Sequence, residues 1–398
     1  MPLGLYISVP FCRTKCSYCN FASDVFSKVV FQRYVERVCS DLNHARQTAA
    51  VVGGQFEPAA DSVFLGGGTP TVLESGQLEA LFTAIEKNFH LRPGVEITVE
   101  CAPGTLTSDI LQALQHCGVN RVSLGVQSFV DQEAVSVGRI HKAATVREDI
   151  SRLRGAGISN INVDLIAGLP HQTHKSWDFS VRQAIASGAP HVSVYMLEVD
   201  EDSRLGREVL AGGTKYHAHF VPDDDLTADL YLEACEKLNA SGIAQYEISN
   251  FSRSGLESTH NLKYWARRPY MGFGVDAHSM LCATGPKNAA ASGGVRFSTP
   301  DSLDAFLRGE NLSQTPVSAE AALEETFFLG LRLNRGVDLA QVQEFFGPNS
   351  LLAFAPVIAE LVGEGLVEQA SGVIRLTSRG RLLSNDVFER FLGTGHSI

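Results

Sequence analysis

The sequence predicts an α/β protein: a partial (β/α)6 barrel of the TIM type, followed by a small α+β, winged-helix-like C-terminal domain. Three observations carry this reading. Short β-branched or apolar runs alternate with helical stretches as far as residue 197, which is the pattern of βα units around a parallel sheet. Chemically suggestive residues fall at or just beyond the ends of those runs, where parallel α/β folds form their ligand face. From about residue 301 the pattern changes to helices followed by a short hairpin. The chain of 398 residues is too long for one ordinary domain, and its 44% hydrophobic and 19% charged content suits a sizeable core. Two domains are expected, 1–300 and 301–398.

Strand candidates are 5–9, 62–65, 96–100, 121–126, 160–166 and 191–197. Helical candidates lie near 28–50, 75–89, 108–117, 143–155 and 174–187, with Gly118, Gly157 and Gly188 placed as C′ residues. Residues 201–300 are less regular, with a helix at about 224–240 opened by Asp223, Asp224 and Asp225 and a strand near 244–248. The glycine-rich stretch from Gly272 to Ala277 superficially fits GxGxxA, but no strand or βαβ unit precedes it, so it reads as a loop closing the site. In the C-terminal domain, helices are expected at 319–333, 338–346 and 350–364, a hairpin at 366–368 and 373–376, and a last helix from Ser378.

The formal charge of −11 argues against broad contact with nucleic acid or an anionic membrane, because phosphate binding needs clustered Lys and Arg. The first residues lack a signal-peptide pattern, and no apolar run reaches the ~20 residues of a membrane span. A soluble, cytoplasmic protein is expected, with peripheral membrane contact left open. Eight cysteines, three of them within eight residues, point to metal rather than to a disulfide framework.

Cys12, Cys16 and Cys19 form a CxxxCxxC loop directly after the first strand. Zinc in a closed structural site prefers four protein ligands, and no second pair lies nearby. A cubane cluster needs one ligand per iron, so three thiolates leave the fourth iron open to a small molecule. Gly66, Gly67 and Gly68 with Thr69 follow the second strand; the run lacks the ending of a phosphate-binding P-loop, and reads either as a tight βα turn or as backbone that approaches a ligand closely. Glu100, Gln127, Arg139 and Asp164 stand at or near later strand ends, where together they offer carboxylates, an amide and a guanidinium to one pocket. His260, Asn261, Leu262, Lys263, Tyr264 and Trp265 form the strongest cluster of aromatic and imidazole groups. A His there is either a satisfied helix-start residue or a heme ligand, with Lys263, Arg267 or Arg268 near the propionates. His217 and His219 read as solvated, and Cys39, Cys101, Cys117, Cys235 and Cys282 as free thiols.

CxxxCxxC with Tyr18 before the third Cys resembles the radical S-adenosylmethionine (SAM) superfamily. The resemblance implies a [4Fe–4S] cluster on Cys12, Cys16 and Cys19, with SAM chelating the open iron. It assigns SAM to Tyr6, Tyr18, Gly67, Gly68, Thr69, Glu100, Gln127, Arg139 and Asp164. The stretches 6–12, 66–70, 125–129, 138–141, 162–170 and 260–265 resemble the coproporphyrinogen dehydrogenase-like branch of that superfamily. Porphyrin-making members of the branch carry a fourth Cys two residues after the third and a long segment before the cluster. This sequence has Phe21 at that place and a short lead into Cys12. Both departures resemble the heme-chaperone members, as does HNxxYW, their heme-binding signature. That resemblance implies heme as cargo, His260 as its leading ligand, and transfer to an acceptor protein. Ser8 stands where the branch often has His. The alternative is an oxygen-independent coproporphyrinogen III dehydrogenase; a nucleic-acid-modifying role for the C-terminal domain is disfavoured by the acidic charge.

Overall fold

In the computed structural model, which describes residues 1–284 and 293–393, each expected parallel strand is present. β1 (Leu3–Val9) is followed by a two-residue strand, β2 (Gly54–Gln55), and then by β3 (Ala59–Gly67), β4 (His90–Cys101), β5 (Arg121–Gln127), β6 (Asn160–Ala167) and β7 (His191–Met196). β1 and the five strands from β3 to β7 pair in parallel in chain order. Helices connect them as right-handed βα geometry requires for parallel neighbours. Thr107 and Thr173 cap the helices Ser108–His116 and His174–Ala186 by accepting from the amides of Ile110 and Ser176. The expected 28–50 helix divides at His44 into Val29–Asn43 and Ala45–Val51. Gly118, Gly157 and Gly188 all adopt positive φ at helix ends.

Alternation along each strand sets the two faces of the sheet. One face carries Leu3, Leu5, Ile7 and Val9 from β1, Val63 and Leu65 from β3, Val122 and Leu124 from β5, and Val163, Leu165, Val192 and Val194 from β6 and β7. All are fully buried in one core with the helices. Burying each such side chain contributes roughly 1.5–3 kcal/mol. The opposite face carries Tyr6, Ser8, Glu96, Glu100, Arg121, Ser123, Asn162, Asp164, His191 and Ser193, so the inside of the curve is polar.

Beyond β7 come β8 (Ala244–Gln245) and β9 (Asn250–Ser252), which close one edge in antiparallel fashion. β10 (Tyr270–Gly274) lies parallel to β1 on its other side, and β11 (His278–Ala283), β12 (Gly294–Ser298) and β13 (Ser313–Val317) extend that edge antiparallel. The stretch expected to be a loop at Gly272 and Gly274 is therefore a strand. Its glycines serve close packing: a Cβ at Gly272 would meet the His278 carbonyl, and one at Gly274, where φ is +101°, would meet the Ser8 carbonyl and the Tyr34 hydroxyl. Glycine count masked the strand signal, because residues chosen for close approach have low strand propensity.

The sheet continues through Val317, after which a second core begins. The helices Ala319–Gly330, Leu339–Phe346 and Ala355–Gly363 pack with a three-stranded antiparallel sheet of β14 (Val337–Asp338), β15 (Val367–Ala370) and β16 (Val373–Leu376). Phe327, Phe354 and Phe391 stack at its centre with Leu361 and Ile374. Ile248 from the first domain belongs to the same core.

Gly274→Ala forces a Cβ against backbone at a left-handed position, and is expected to destabilise the protein by about 1–3 kcal/mol. A lower urea midpoint than wild type at unchanged m-value checks this.

Candidate functional site around the cysteine loop

The loop after β1 is held at several points. Phe11 is buried and stacks on Phe31 with ring centroids 3.9 Å apart. The Cys12 amide donates to the Asp24 carbonyl at 3.0 Å and the Asp24 amide to the Pro10 carbonyl at 2.9 Å. Farther along, the Ser17 amide donates to Val137 (3.1 Å), and Lys15 Nζ donates to the carbonyls of Phe21 (2.7 Å) and Ser23 (2.5 Å). Cys12, Cys16 and Cys19 are free thiols, and all three line one cavity of about 570 Å³. Among the described residues no three or more His, Cys, Asp or Glu are grouped to hold a single metal ion. The donor set of three thiols in one loop fits a cluster that takes one ligand per iron.

The glycine stretch is tied to that loop by its own amides. Gly68 donates to the Val9 carbonyl at 2.7 Å and Thr69 to the Phe11 carbonyl at 2.8 Å. A Cβ at Gly68 would collide with those same backbone atoms. Thr69 Oγ1 lies 3.9 Å from Cys12 Sγ, so the stretch also reaches the first thiol. Gly67, at φ +97°, donates its amide to Glu100 Oε2 at 3.2 Å.

Tyr18, Gly67, Gly68, Thr69, Glu100, Gln127, Arg139 and Asp164 all line the cavity with the cysteines. Tyr6 does not; it lines an adjoining crevice of about 360 Å³ with Ser8, Tyr264 and Tyr270. Arg139 Nη2 donates to the Tyr18 hydroxyl at 3.0 Å, while its buried Nε has no partner. Burial, and then the charge of Asp164, push the Glu100 carboxyl up to about 8. Burial also raises Asp164 despite hydrogen bonds from Ser123 (3.0 Å) and Asn162 (2.7 Å). Gln127 sits at φ +68° beyond a register shift in β5, which turns its side chain into the cavity wall.

Sequence reasoning missed the polar residues deeper in the same wall: Arg121, Ser123, Asn162, Ser193 and Tyr195. Asn162 links Ser123, Asp164 and Ser193 through its amide nitrogen and accepts at 2.6 Å from the His191 ring, whose other nitrogen meets the Tyr246 hydroxyl. Every second residue is polar or glycine from Arg121 to Gln127 on β5, from Asn160 to Asp164 on β6 and from His191 to Tyr195 on β7, and that period-2 signal identifies them. Arg332, Leu382, Ser384 and Asn385 bring the C-terminal domain to the cavity as well.

His260 opens on neither cavity. It is buried, its Nδ1 lies 3.0 Å from Ser62 Oγ and its Nε2 lies 2.9 Å from the Tyr264 hydroxyl, and burial lowers its imidazole to about 3. Both ring nitrogens are engaged, so it stands as a satisfied core histidine in this conformation. Two of the three cations expected near it are also committed, Lys263 Nζ pairing with Asp61 at 2.5 Å and Arg267 with Glu325 at 2.6 Å, while Arg268 is exposed. Asn261 lines the main cavity, Tyr264 lines the crevice, and Trp265 lies under the Arg332 guanidinium at 4.2 Å.

The raised Glu100 predicts a pH effect on the cofactor-free protein. Between pH 4.5 and about 8 the folded state keeps a proton that the unfolded chain has lost. Stability contributed by this group therefore falls as pH rises through that window. Glu100→Gln, which cannot ionise, is expected to be more stable than wild type by about 1–3 kcal/mol at pH 9 and near wild type at pH 4.5. Urea unfolding at the two pH values reads the difference.

Residues 6–184 match the radical SAM superfamily, and residues 317–383 match the HemN C-terminal domain. The chain is 35% identical to the heme chaperone HemW of Bacillus subtilis and 31% identical to that of Escherichia coli, covering 98% of itself and 98% of each relative. It is 31% identical to the mitochondrial radical S-adenosyl methionine domain-containing protein 1 of Bos taurus, over 86% of this chain and 76% of that one. Among solved structures, coproporphyrinogen III oxidase (HemN) from Escherichia coli superimposes with a TM-score of 0.81 at 23% identity, over 98% of this chain and 90% of the other, which shows a common fold. Full-length identity above 30% and a radical SAM barrel with its cysteine loop together mean that the chain belongs to the HemW heme-chaperone family of the radical SAM superfamily.

Proposed function

We propose that this protein binds a [4Fe–4S] cluster through Cys12, Cys16 and Cys19, binds SAM in the cavity beside it, and carries heme to an acceptor protein. The observation that carries the proposal is the joint lining of one cavity by three free thiols, the Glu100 and Asp164 carboxylates and the Arg139 guanidinium with its unpartnered Nε. A cluster held by three thiolates leaves one iron open to an amino-acid chelate and supplies single electrons to it. The chain's own part is to position and shield the ligand. Arg139 is available to pair with a carboxylate, Tyr18 offers a flat aromatic face, and Glu100 and Asp164 accept from hydroxyl or ammonium groups. Phe21, in the place where the porphyrin-making branch has a fourth Cys, is 66% exposed and lines the main cavity and the crevice. A phenyl ring there offers apolar surface rather than a further ligand, which favours a macrocyclic cargo over a second metal function. Among the described residues no helix is long and apolar enough to cross a membrane.

Anaerobic reconstitution with iron and sulfide tests the first part. Cys12→Ser, Cys16→Ser or Cys19→Ser is expected to lose most of the bound iron and labile sulfide, whereas Cys117→Ser, at a buried free thiol that lines neither cavity, retains it. The second part is tested on the reconstituted wild type. Stable uptake of heme, with no conversion of coproporphyrinogen III in the presence of SAM and a reductant, is expected. Robust turnover without heme uptake would establish the dehydrogenase reading instead.

A further inference from the structure

Among the described residues, four cationic side chains line the main cavity: Lys15, Arg121, Arg139 and Arg332. Three of them are engaged by the protein itself. Lys15 donates to the carbonyls of Phe21 and Ser23, Arg139 donates to the Tyr18 hydroxyl, and Arg332 lies over the Trp265 ring with Nη2 3.9 Å from Glu247 Oε2. Arg121 differs. It is 2% exposed, yet among the described residues it makes no hydrogen bond and no ion pair, and its Nε is buried without a partner. A guanidinium stays charged and carries five N–H donors, so burying one unpaired is costly until an anion meets it. The carboxylates of the same wall are held by other donors: Glu100 by the Gly67 amide, Asp164 by Ser123 and Asn162.

Depth in the barrel narrows the choice of anion. Arg121 opens β5, with Thr98 beside it on β4 and Asn160 on β6. Each member of this rung holds a buried polar atom with no partner: Thr98 Oγ1, Arg121 Nε and Asn160 Oδ1. Gly125, four residues farther along the same face of β5, is where the strand meets Arg139, since a Cβ there would lie 3.3 Å from Arg139 Nη2. Four residues of strand span about 13 Å. SAM has one carboxylate, and chelation of an open iron keeps it at the cysteine loop, on the Arg139 side. The anion for Arg121 therefore belongs to a different ligand. At this inner end Glu96, two residues before Thr98, grips the first turn of the helix Thr259–Trp265, and Asn261 of that helix lines the cavity.

We infer that Arg121 binds a carboxylate of the cargo, a heme propionate on the carrier reading proposed above, at the inner end of the main cavity. A planar carboxylate matches the guanidinium fork, and two parallel hydrogen bonds fix one edge of the cargo while leaving the iron to other residues. Of the cations that the sequence placed near the propionates, Lys263 and Arg267 are paired within the protein and Arg268 is exposed.

The full chain with reconstituted cluster is titrated anaerobically with hemin, with hemin dimethyl ester, whose carboxylates are masked, and with SAM. Soret absorption reads the first two and equilibrium dialysis the third. The wild type is expected to bind hemin about tenfold or more tighter than the ester. Arg121→Met is expected to bind both as the wild type binds the ester, with an unshifted Soret band and wild-type SAM affinity. Arg121→Lys, which keeps the charge without the fork, retains part of the preference. Without ligands, Arg121→Met is expected to unfold at a urea midpoint equal to or above that of the wild type, because a buried unpaired charge is gone; a merely structural arginine would lower it. An undiminished preference for hemin in Arg121→Met and Arg121→Lys would overturn the inference alone. So would loss of SAM binding in place of that preference, or transfer of the effect to Arg268→Gln. Equal binding of hemin and its ester by the wild type would overturn it without any variant. No uptake of either form by the wild type would overturn the heme reading and the inference with it.

Discussion

A buried carboxylate, Glu96 on β4, joins the parts of this molecule. Its oxygens accept from the backbone amides of Thr259 (2.9 Å) and His260 (3.0 Å) at the first turn of the helix Thr259–Trp265, with Ser258 Oγ at 3.4 Å. Anionic oxygens at a helix N-terminus satisfy amides that have no partner within the helix. The grip fixes the direction of a helix of only seven residues, which would not persist in isolation. From that one constraint His260 turns inward onto Phe64 and Ser62, Tyr264 turns to the crevice, and Trp265 turns outward to Arg332 of the C-terminal domain. The HNxxYW block is therefore a junction between barrel, crevice and C-terminal domain.

The C-terminal domain meets the barrel where β8 and β9 close the sheet edge. The Ile248 amide donates to the Arg332 carbonyl and the Asn334 amide to the Tyr246 carbonyl, and Glu325 accepts from both Arg267 and Arg296 at 2.6 Å. Glu325 is 7% exposed at its side chain, so this is a shielded pair of ion pairs whose loss would leave an uncompensated buried charge. The same contact carries Ser384 and Asn385 to the cavity wall. A domain held this way is positioned to shield the main cavity.

Much of the fold was legible along the chain. Six strands and their helices followed from apolar runs and glycine stops, because each βα unit is local in sequence and its signals do not depend on neighbours. The cysteine loop was legible for the same reason: a spacing of four and three residues keeps all three thiols in one turn-rich segment. Glu100, Gln127, Arg139 and Asp164 were legible because parallel strands end on one face. Arg121, Ser123, Asn162 and Ser193 were present as a period-2 signal that becomes meaningful once the sheet curves and its polar face encloses a cavity.

The sequence by itself determined which residues could bear the chemistry, since thiol spacing, strand polarity and the substitution of Phe21 at the fourth position are properties of neighbours along the chain. Tertiary structure decided which of them face the cavity. Gly272 and Gly274 looked like a loop and proved to be a strand, because the demand for close backbone approach arises only when β10 lies between β1 and β11. His260 looked exposed at a helix start and is enclosed, because Glu96, 164 residues earlier, draws that helix end into the barrel.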